Sequence, residues 1–254
     1  MARLAASGHE IAFHYDAQSL HVGCRWGADS FTVQLARLRR RLRAAGIDLA
    51  IHSNRNHYTR WQGRLDCFRW LEAEGVRIDQ SKGPSKGGCA GWPFGTCHPW
   101  RPIDDEIQPP RLMNLLEISF VAQDLGHPRF PAGYGRHLVD SALARRGVAH
   151  LLFHPAHLES PEVRQAQADL VAYARTRGLA WWTSRRIGAW QFARRELRVE
   201  SFRIERGRAS LDLNAGRELE NAVLRLDGAA RGQSEPVNLR GRCQASCPAA
   251  PRRA

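Results

Sequence analysis

The chain has 254 residues, which suits one large domain or one domain with an appendage, and its 43% apolar content is enough to build a real core. No stretch approaches the roughly 20 apolar residues of a membrane span, and no secretory signal opens the chain. A net charge of +13 and a pI of 10.6 would ordinarily point to nucleic acid or an anionic surface.

That pointer is weakened by how the charge is made. All but two of the 38 basic residues are arginine, and they are scattered rather than gathered into a stripe, so the excess reads as GC-rich coding. A specific nucleic-acid complex is therefore not expected, and nucleic-acid binding is kept as a runner-up class. The six cysteines, Cys24, Cys67, Cys89, Cys97, Cys243 and Cys247, form neither a CxxC pair nor a zinc-finger spacing. They read as small buried or loop thiols, which makes a reducing cytoplasm the expected location. The CxxxC at Cys243 and Cys247 lies in a Gly/Pro/Ala/Arg-rich tail, where chance is the better explanation.

In chain order, MARLAASG has the look of the last turns of a helix closing at Gly8, followed at once by the strand-like EIAFH. A domain seldom begins with the tail of a helix, so a preceding strand and most of that helix are expected upstream of Met1. FTVQLARLRRRLRAAG, 31–46, carries Val33, Leu35, Leu38, Leu42 and Ala45 at near-helical spacing and ends at Gly46, before the short strand DLAIHS. A helix at 65–74 stops at Gly75 before VRID. LMNLLEISF, 112–120, is apolar enough for a buried strand. GYGRHLVDSALARRG predicts a helix leading into VAHLLFH, and SPEVRQAQADLVAYARTRG a helix leading into LAWWT, with Ser160 as N-cap, Pro161 at the first turn and Glu162 beside it. Strand–helix–strand repetition implies a mostly parallel sheet, open or closed into a barrel. After residue 195, ELRVESFRIERGRASLDLN alternates apolar and polar residues around a turn at Arg206-Gly207, and NAVLRLDG gives a further strand: a small antiparallel extension. Residues 228–254 carry no periodicity and read as a disordered tail.

Four histidine-bearing stretches carry the chemistry: GHEIAFHYDA at 8–17, RNHYTRW at 55–61, FGTCHPWRP at 94–102 and LLFHPAHL at 151–158. Each lies where an apolar run gives way to a polar turn, and strand ends are where catalytic side chains collect in α/β barrels. On an extended HEIAFHYD, Glu10, Ala12, His14 and Asp16 share one face. His14 and Asp16, two residues apart, can both reach one cation, because imidazole nitrogen and carboxylate oxygen are common zinc ligands. The alternative is a histidine satisfied by hydrogen bonds in a barrel core. Arg55, Asn56 and His57 belong on the loop after DLAIHS; His57 can serve metal or substrate. Trp61 can stack on a sugar ring or anchor the loop from the core. Asp79 stands at a strand end or caps a turn. SKGPSKGGCAGWPFGTCHPWRP lacks the Walker spacing GxxxxGK[ST], which argues against nucleotide binding. Its Trp92, Phe94 and Trp100, with His98 and Arg101, read as an ordered rim of a substrate groove, Trp92 and Trp100 being the candidate platforms. Pro155 ends the VAHLLF strand by removing a donor, setting His154 at the rim and His157 one turn on.

HEIAFHYDA and FHPAH resemble segments of the polysaccharide deacetylase (carbohydrate esterase) superfamily, and RNHYTRW with FGTCHPWRP resembles a bacterial branch of it, the likeness covering roughly residues 1–195. It implies an α/β fold, a (β/α)7-like distorted barrel over 1–195 that lacks its first strand, ahead of the small extension at 196–227 and the tail at 228–254. It also implies metal-assisted hydrolysis, with a divalent cation such as zinc, of an N-acetyl group on a sugar or glycan. By resemblance His14 is a metal ligand, Arg55 the arginine that orients the catalytic aspartate, and His154 the acid toward the leaving nitrogen, with His157 its alternate. His57, Trp61, Trp92, His98, Trp100 and His157 make up the expected carbohydrate-binding set. Where the family has its second metal-binding histidine this chain has Gln18, so Asp16 is placed in the catalytic and metal-binding set as the replacement, with His21 lying beyond the turn. The family's Asp-Asp motif belongs on the strand expected before Met1, and without it the chain as written should be inactive. A homologue that only binds carbohydrate is the first alternative.

Overall fold

The computed structural model describes residues 1–18, 25–84, 89–226, 232–233 and 236–248. His21, weighed above as a ligand, and most of the stretch 227–235 lie outside the described residues. The chain divides into two compact units, Met1–Arg185 and Arg186–Ala254.

The first unit is built on parallel strands joined by helices. α1 (Ala2–Ala6) ends before Gly8, which takes φ +83°, and β1 (Phe13–Tyr15) follows. α2 (Ala28–Ala44) crosses to β2 (Ser53–Asn56), and α3 (Asp66–Ala73) crosses to β3 (Ile78–Asp79). A long excursion holds a hairpin of β4 (Ile103–Asp104) and β5 (Arg111–Leu112) before β6 (Leu116–Glu117). β1, β2, β3 and β6 form one sheet in that order, every pair parallel, as strand–helix crossovers require. β7 (Ala122–Gln123) pairs in parallel with β8 (Leu151–Leu152), α4 (Tyr134–Ala144) lying between them in sequence. α5 (Pro161–Thr176) comes after β8. This is a mixed α/β unit with parallel sheets; no strand pairing among the described residues closes them into a barrel.

The ladders are shorter than the apolar runs that announce them. LMNLLEISF contributes Leu112 to β5 and only Leu116–Glu117 to the parallel sheet, while VAHLLFH gives a two-residue ladder and LAWWT none. Burial, not ladder length, explains the composition: Met113, Leu115, Leu116, Ile118, Phe120 and Val121 are all 2% exposed or less. The helices form where the spacing places them, but the buried face of the first long one is narrower than its apolar set: of the residues named from sequence, Leu35 and Leu42 are buried and Val33 and Ala45 are exposed. α2 buries Phe31, Leu35 and Leu42, while Val33 faces out at 52% exposure. α3 buries Cys67, Phe68 and Leu71, α4 buries Leu138, Val139 and Ala142, and α5 buries Val163, Leu170 and Ala174. Each fully buried large apolar side chain contributes about 1.5–3 kcal/mol. Ser160 caps α5, its Oγ accepting from Val163 N, with Pro161 and Glu162 in the first turn.

The second unit is antiparallel. α6 (Ser184–Glu196) enters it, then β9 (Arg198–Glu205) and β10 (Arg208–Ala222) form a hairpin across Arg206 and Gly207, both at positive φ (48° and 72°) as a tight two-residue turn demands. β11 (Arg225–Leu226) pairs with β12 (Gly232–Gln233). β13 (Val237–Pro248) lies on the far side of β10, giving the order β13-β10-β9. Twelve residues of the segment whose composition suggested a tail thus form a strand, because Leu239, Ala245 and Cys247 fill positions against β10 that its own apolar alternation leaves open.

Candidate functional site

Three groups of polar side chains gather at the carboxyl ends of the parallel strands. The first is at β1 and β2. Phe13 and Tyr15 point into the core, and the Tyr15 hydroxyl sits 2.5 Å from Ser30 Oγ and accepts from Gly27 N at 3.2 Å, so His14 must point outward. Gln34 of α2 clasps the Asp16 backbone, accepting from its N at 3.2 Å and donating to its O at 2.9 Å. His57, just beyond β2, brings Nδ1 to 3.2 Å from Asp16 Oδ1, and its ring centroid lies 5.2 Å from that of His14. The exposed Tyr58 ring stacks on His57 at 4.2 Å. Tyr58 and Thr59 both hold positive φ, 55° and 52°, a costly backbone conformation for side chains of this size. Partial burial, together with the neighbouring His57 imidazole, holds His14 below the ordinary histidine value. His57, named apart from the His14 and Asp16 pair in the sequence, is thus their neighbour.

The second group is at β7 and β8. Asp124, one residue past β7, is 1% exposed and itself at φ +43°. The turn is tight: Gly126 is at φ +95°, and a Cβ there would lie 2.6 Å from the Glu162 carbonyl oxygen and 2.9 Å from Ala166 Cβ, so α5 leaves room for glycine only. Asp124 Oδ1 accepts from His154 N at 2.7 Å and Oδ2 lies 2.6 Å from His154 Nδ1. Burial pushes the Asp124 carboxyl up, but the hydrogen bonds from His154 and the nearness of His157 outweigh it and leave it below the usual carboxylate range. An ionised carboxylate only accepts, so His154 carries its proton on Nδ1 and presents Nε2 outward from a side chain 46% exposed. His157 Nδ1 is also 2.8 Å from Oδ2, yet it is buried and forms no aligned hydrogen bond. His127 stacks on His157 with centroids 5.1 Å apart.

The third group is buried in the four-stranded sheet, at β3 and β6. Asp79 and Glu117 are both fully buried at the ends of β3 and β6. Asp79 accepts from Asn54 Nδ2 (2.9 Å), Ser81 N (3.0 Å) and Ser81 Oγ (2.7 Å). Glu117 Oε1 accepts from Ser119 Oγ at 3.1 Å. Burial and the Asp79 carboxylate drive the Glu117 carboxyl well above its ordinary value. Lys82 lies with Nζ 3.5 Å from the Trp61 ring centroid, its ammonium disfavoured by burial and supported by both acids. Arg55 donates to Gln80 Oε1 at 3.3 Å and reaches His150 Nε2 at 2.7 Å; burial lowers its pKa to about 10. His150 Nδ1 meets the Ile118 carbonyl at 2.7 Å, so its proton sits there and Nε2 accepts from Arg55. Burial and Arg55 push His150 down to about 3.

The other expected residues are spread more widely. Trp61 packs on Phe68 (4.6 Å) with Lys82 over its ring. Trp100 bonds through its backbone to Glu117 and packs on the core of β1 to β3, while Trp92 packs on the core beneath β7 and β8; both are half-buried. His98 is exposed, its backbone N donating to Thr96 Oγ1. Asp124, His127, Lys82, Glu117 and His150 were not anticipated. Asp124 was findable as the acid that closes the segment FVAQ two residues before Gly126; the pairing of Glu117 with Asp79 needs the sheet order.

The donor atoms of Asp124, His154 and His157 all lie within 4.8 Å of one another, and no second such group of histidine, cysteine or acidic ligands occurs among the described residues. Ligands on one tetrahedral zinc, with bonds of about 2.0–2.2 Å, stand roughly 3.3 Å apart. The 2.6 Å separation of Asp124 and His154 is instead that of a shared proton, although the orphaned His157 Nδ1, 2.8 Å from Asp124, is a donor a cation would satisfy. Asp16 and His57, at 3.2 Å, stand at the coordination spacing.

No protein-family model and no curated protein matches the chain. Among solved structures it is similar to a crystal structure from Bordetella bronchiseptica described as a provisionally assigned polysaccharide deacetylase involved in O-antigen biosynthesis. The two share 15% identity over 73% of this chain and 70% of that one, with a TM-score of 0.35. At that distance the likeness does not settle the fold.

Proposed function

We propose that the chain is a metal-assisted hydrolase of the deacetylase type, acting on the N-acyl group of a sugar or glycan. The observation that carries this reading is Asp124, a buried carboxylate in a strained turn at a parallel strand end, which fixes one tautomer of a half-exposed histidine. His154 can accept a proton on Nε2 and return it to a departing nitrogen, with Asp124 holding the ring in place through both states. His14 and Asp16, joined by His57, are the residues we assign to the cation, which when bound would supply the electrophile for the acyl carbonyl and a more acidic water. Tyr58, stacked on His57, offers an aromatic face to substrate. No helix among the described residues is long and apolar enough to cross a membrane, and a carbohydrate is the partner that fits this reading.

The test is acetate release by the chain from a panel of N-acetylated oligosaccharides with zinc present. Turnover that falls by about 10²–10⁴-fold in His154→Ala supports the reading. Absence of acetate release, or full turnover with His154 removed, overturns it.

A second reading is favoured by the orphaned His157 Nδ1: the cation sits on Asp124, His154 and His157. Zinc content separates the two. Loss in His14→Ala and retention in His157→Ala supports the first assignment, and the reverse supports the second.

A further inference from the structure

The sheet of the second unit has a bare edge. In the order β13-β10-β9, strand β9 has a neighbour on one side only among the described residues, and it is eight residues long. Side chains opposite one another in an antiparallel pair share a face, so the register with β10 assigns the faces of β9. Val199, Phe202 and Ile204 stand opposite Leu213, Leu211 and Ala209 and share their apolar face. The central part of that face is covered: Ala193 and Trp190 of α6 pack with Leu211, Leu213 and Ala245, in a cluster that contains no β9 residue. Val199, Phe202 and Ile204 are left 57%, 50% and 51% exposed. A long edge with an open apolar stripe is a template for a further strand.

We propose that this edge pairs with β9 of a second copy, joining two three-stranded sheets into one of six. The sequence of the strand, RVESFRIE, says why the partner is itself. The register shifts between Asp212 and Leu213, so that Val199 and Ser201 face successive residues of β10 and Glu200 is the extra residue of a bulge. With Glu200 and Ser201 counted as one position, the strand has an odd number of steps and Phe202 stands at its centre. Antiparallel self-pairing about Phe202 then sets Val199 against Ile204, Glu200 against Arg203, and Arg198 against Glu205, each pair occurring twice about the two-fold axis. Every charged residue meets its opposite and every apolar residue an apolar one, with the two Phe202 side chains meeting at the axis. Without the bulge the same pairs would fall on opposite faces of the sheet, because side chains alternate strictly. The bulge, ordinarily a device that discourages edge pairing, here brings the palindrome into phase. A closed two-fold of this kind is isologous and stops at two copies.

The experiment is sedimentation of the full chain across the micromolar range, with amide exchange in parallel. The wild type should dimerise with concentration, and the β9 amides should gain protection with it. Arg198→Glu and Glu205→Arg each set like charges opposite and should weaken the dimer by roughly tenfold. The double variant Arg198→Glu/Glu205→Arg restores opposite signs and should restore the dimer. Unchanged circular dichroism in the single variants keeps the reading on association rather than folding. A wild type that stays monomeric, a dimer indifferent to both single substitutions and therefore built on another surface, or a double variant that fails to recover would each overturn the proposal.

Discussion

Two buried acids, each at the carboxyl end of a parallel strand, are handled in opposite ways. Asp124 is answered by histidines whose other faces are open, on a backbone held at positive φ. Asp79 is answered by Asn54 and Ser81 within the sheet, with Glu117 beside it and the cations Arg55 and Lys82 supplying the countercharge. The first arrangement leaves a titratable nitrogen facing outward, while the second spends its hydrogen bonds on joining β2, β3 and β6. A buried carboxylate is therefore a sign of chemistry only when its partner remains accessible.

The sharpest way to break this contrast is to neutralise each acid in place. Asp124→Asn keeps the shape and removes the acceptor that fixes His154, so we expect kcat/KM on N-acetylated oligosaccharides to fall by about 10²–10⁴-fold while the melting temperature moves little. Asp79→Ala should do the reverse. It strands Ser81 N and one of the two Asn54 Nδ2 protons in the core, each at a cost of about 1–3 kcal/mol, which urea unfolding would register. Equal losses of activity in the two variants would erase the distinction.

Acid should find the sheet-centre group before it finds the surface. His150 is held neutral in the folded chain, its pKa depressed from 6.5 to about 3, so its contribution is complete above 6.5 and is lost as pH falls toward 3. Glu117 is shifted the other way: its neutral form supports the fold at low pH, and that support drains as pH rises through the raised value. Stability measured against pH should therefore lose its acid-side slope in His150→Gln and its alkaline-side slope in Glu117→Gln. The smallest effect expected is that of Ser160→Ala, about 1 kcal/mol from loss of the α5 cap, with the geometry at His154 intact.

Much of this was legible in the chain. Helix periodicity located α2 to α5 within a few residues, the Ser160–Pro161–Glu162 start of α5 was readable residue by residue, and Arg206-Gly207 announced the hairpin. His14 and Asp16 could be named as a pair because they share one face of an extended segment, and His57 because it lies on the loop after DLAIHS. What could not be read was partnership. Glu117 sits in an apolar run where nothing local marks it, and its closeness to Asp79 follows only from the parallel pairing of β3 and β6 across a long excursion. The same holds for Lys82 over Trp61: the sequence leaves the indole as either a sugar platform or a core anchor, because it does not say which cation lies on its face. β13 was missed because a strand that completes a sheet need carry little apolar signal of its own.

Lys82 has one more consequence. It and Lys86 are the chain's two lysines, and Lys82 keeps its amine against an indole and beside two acids, in a protein whose other basic side chains are all arginine. An amine-directed label therefore finds very few targets, and one of them reacts only when Trp61 lifts away. Followed over time and resolved by peptide mass, acylation of Lys82 would be a clock for the opening of this end of the sheet, read in the native protein without any engineered probe.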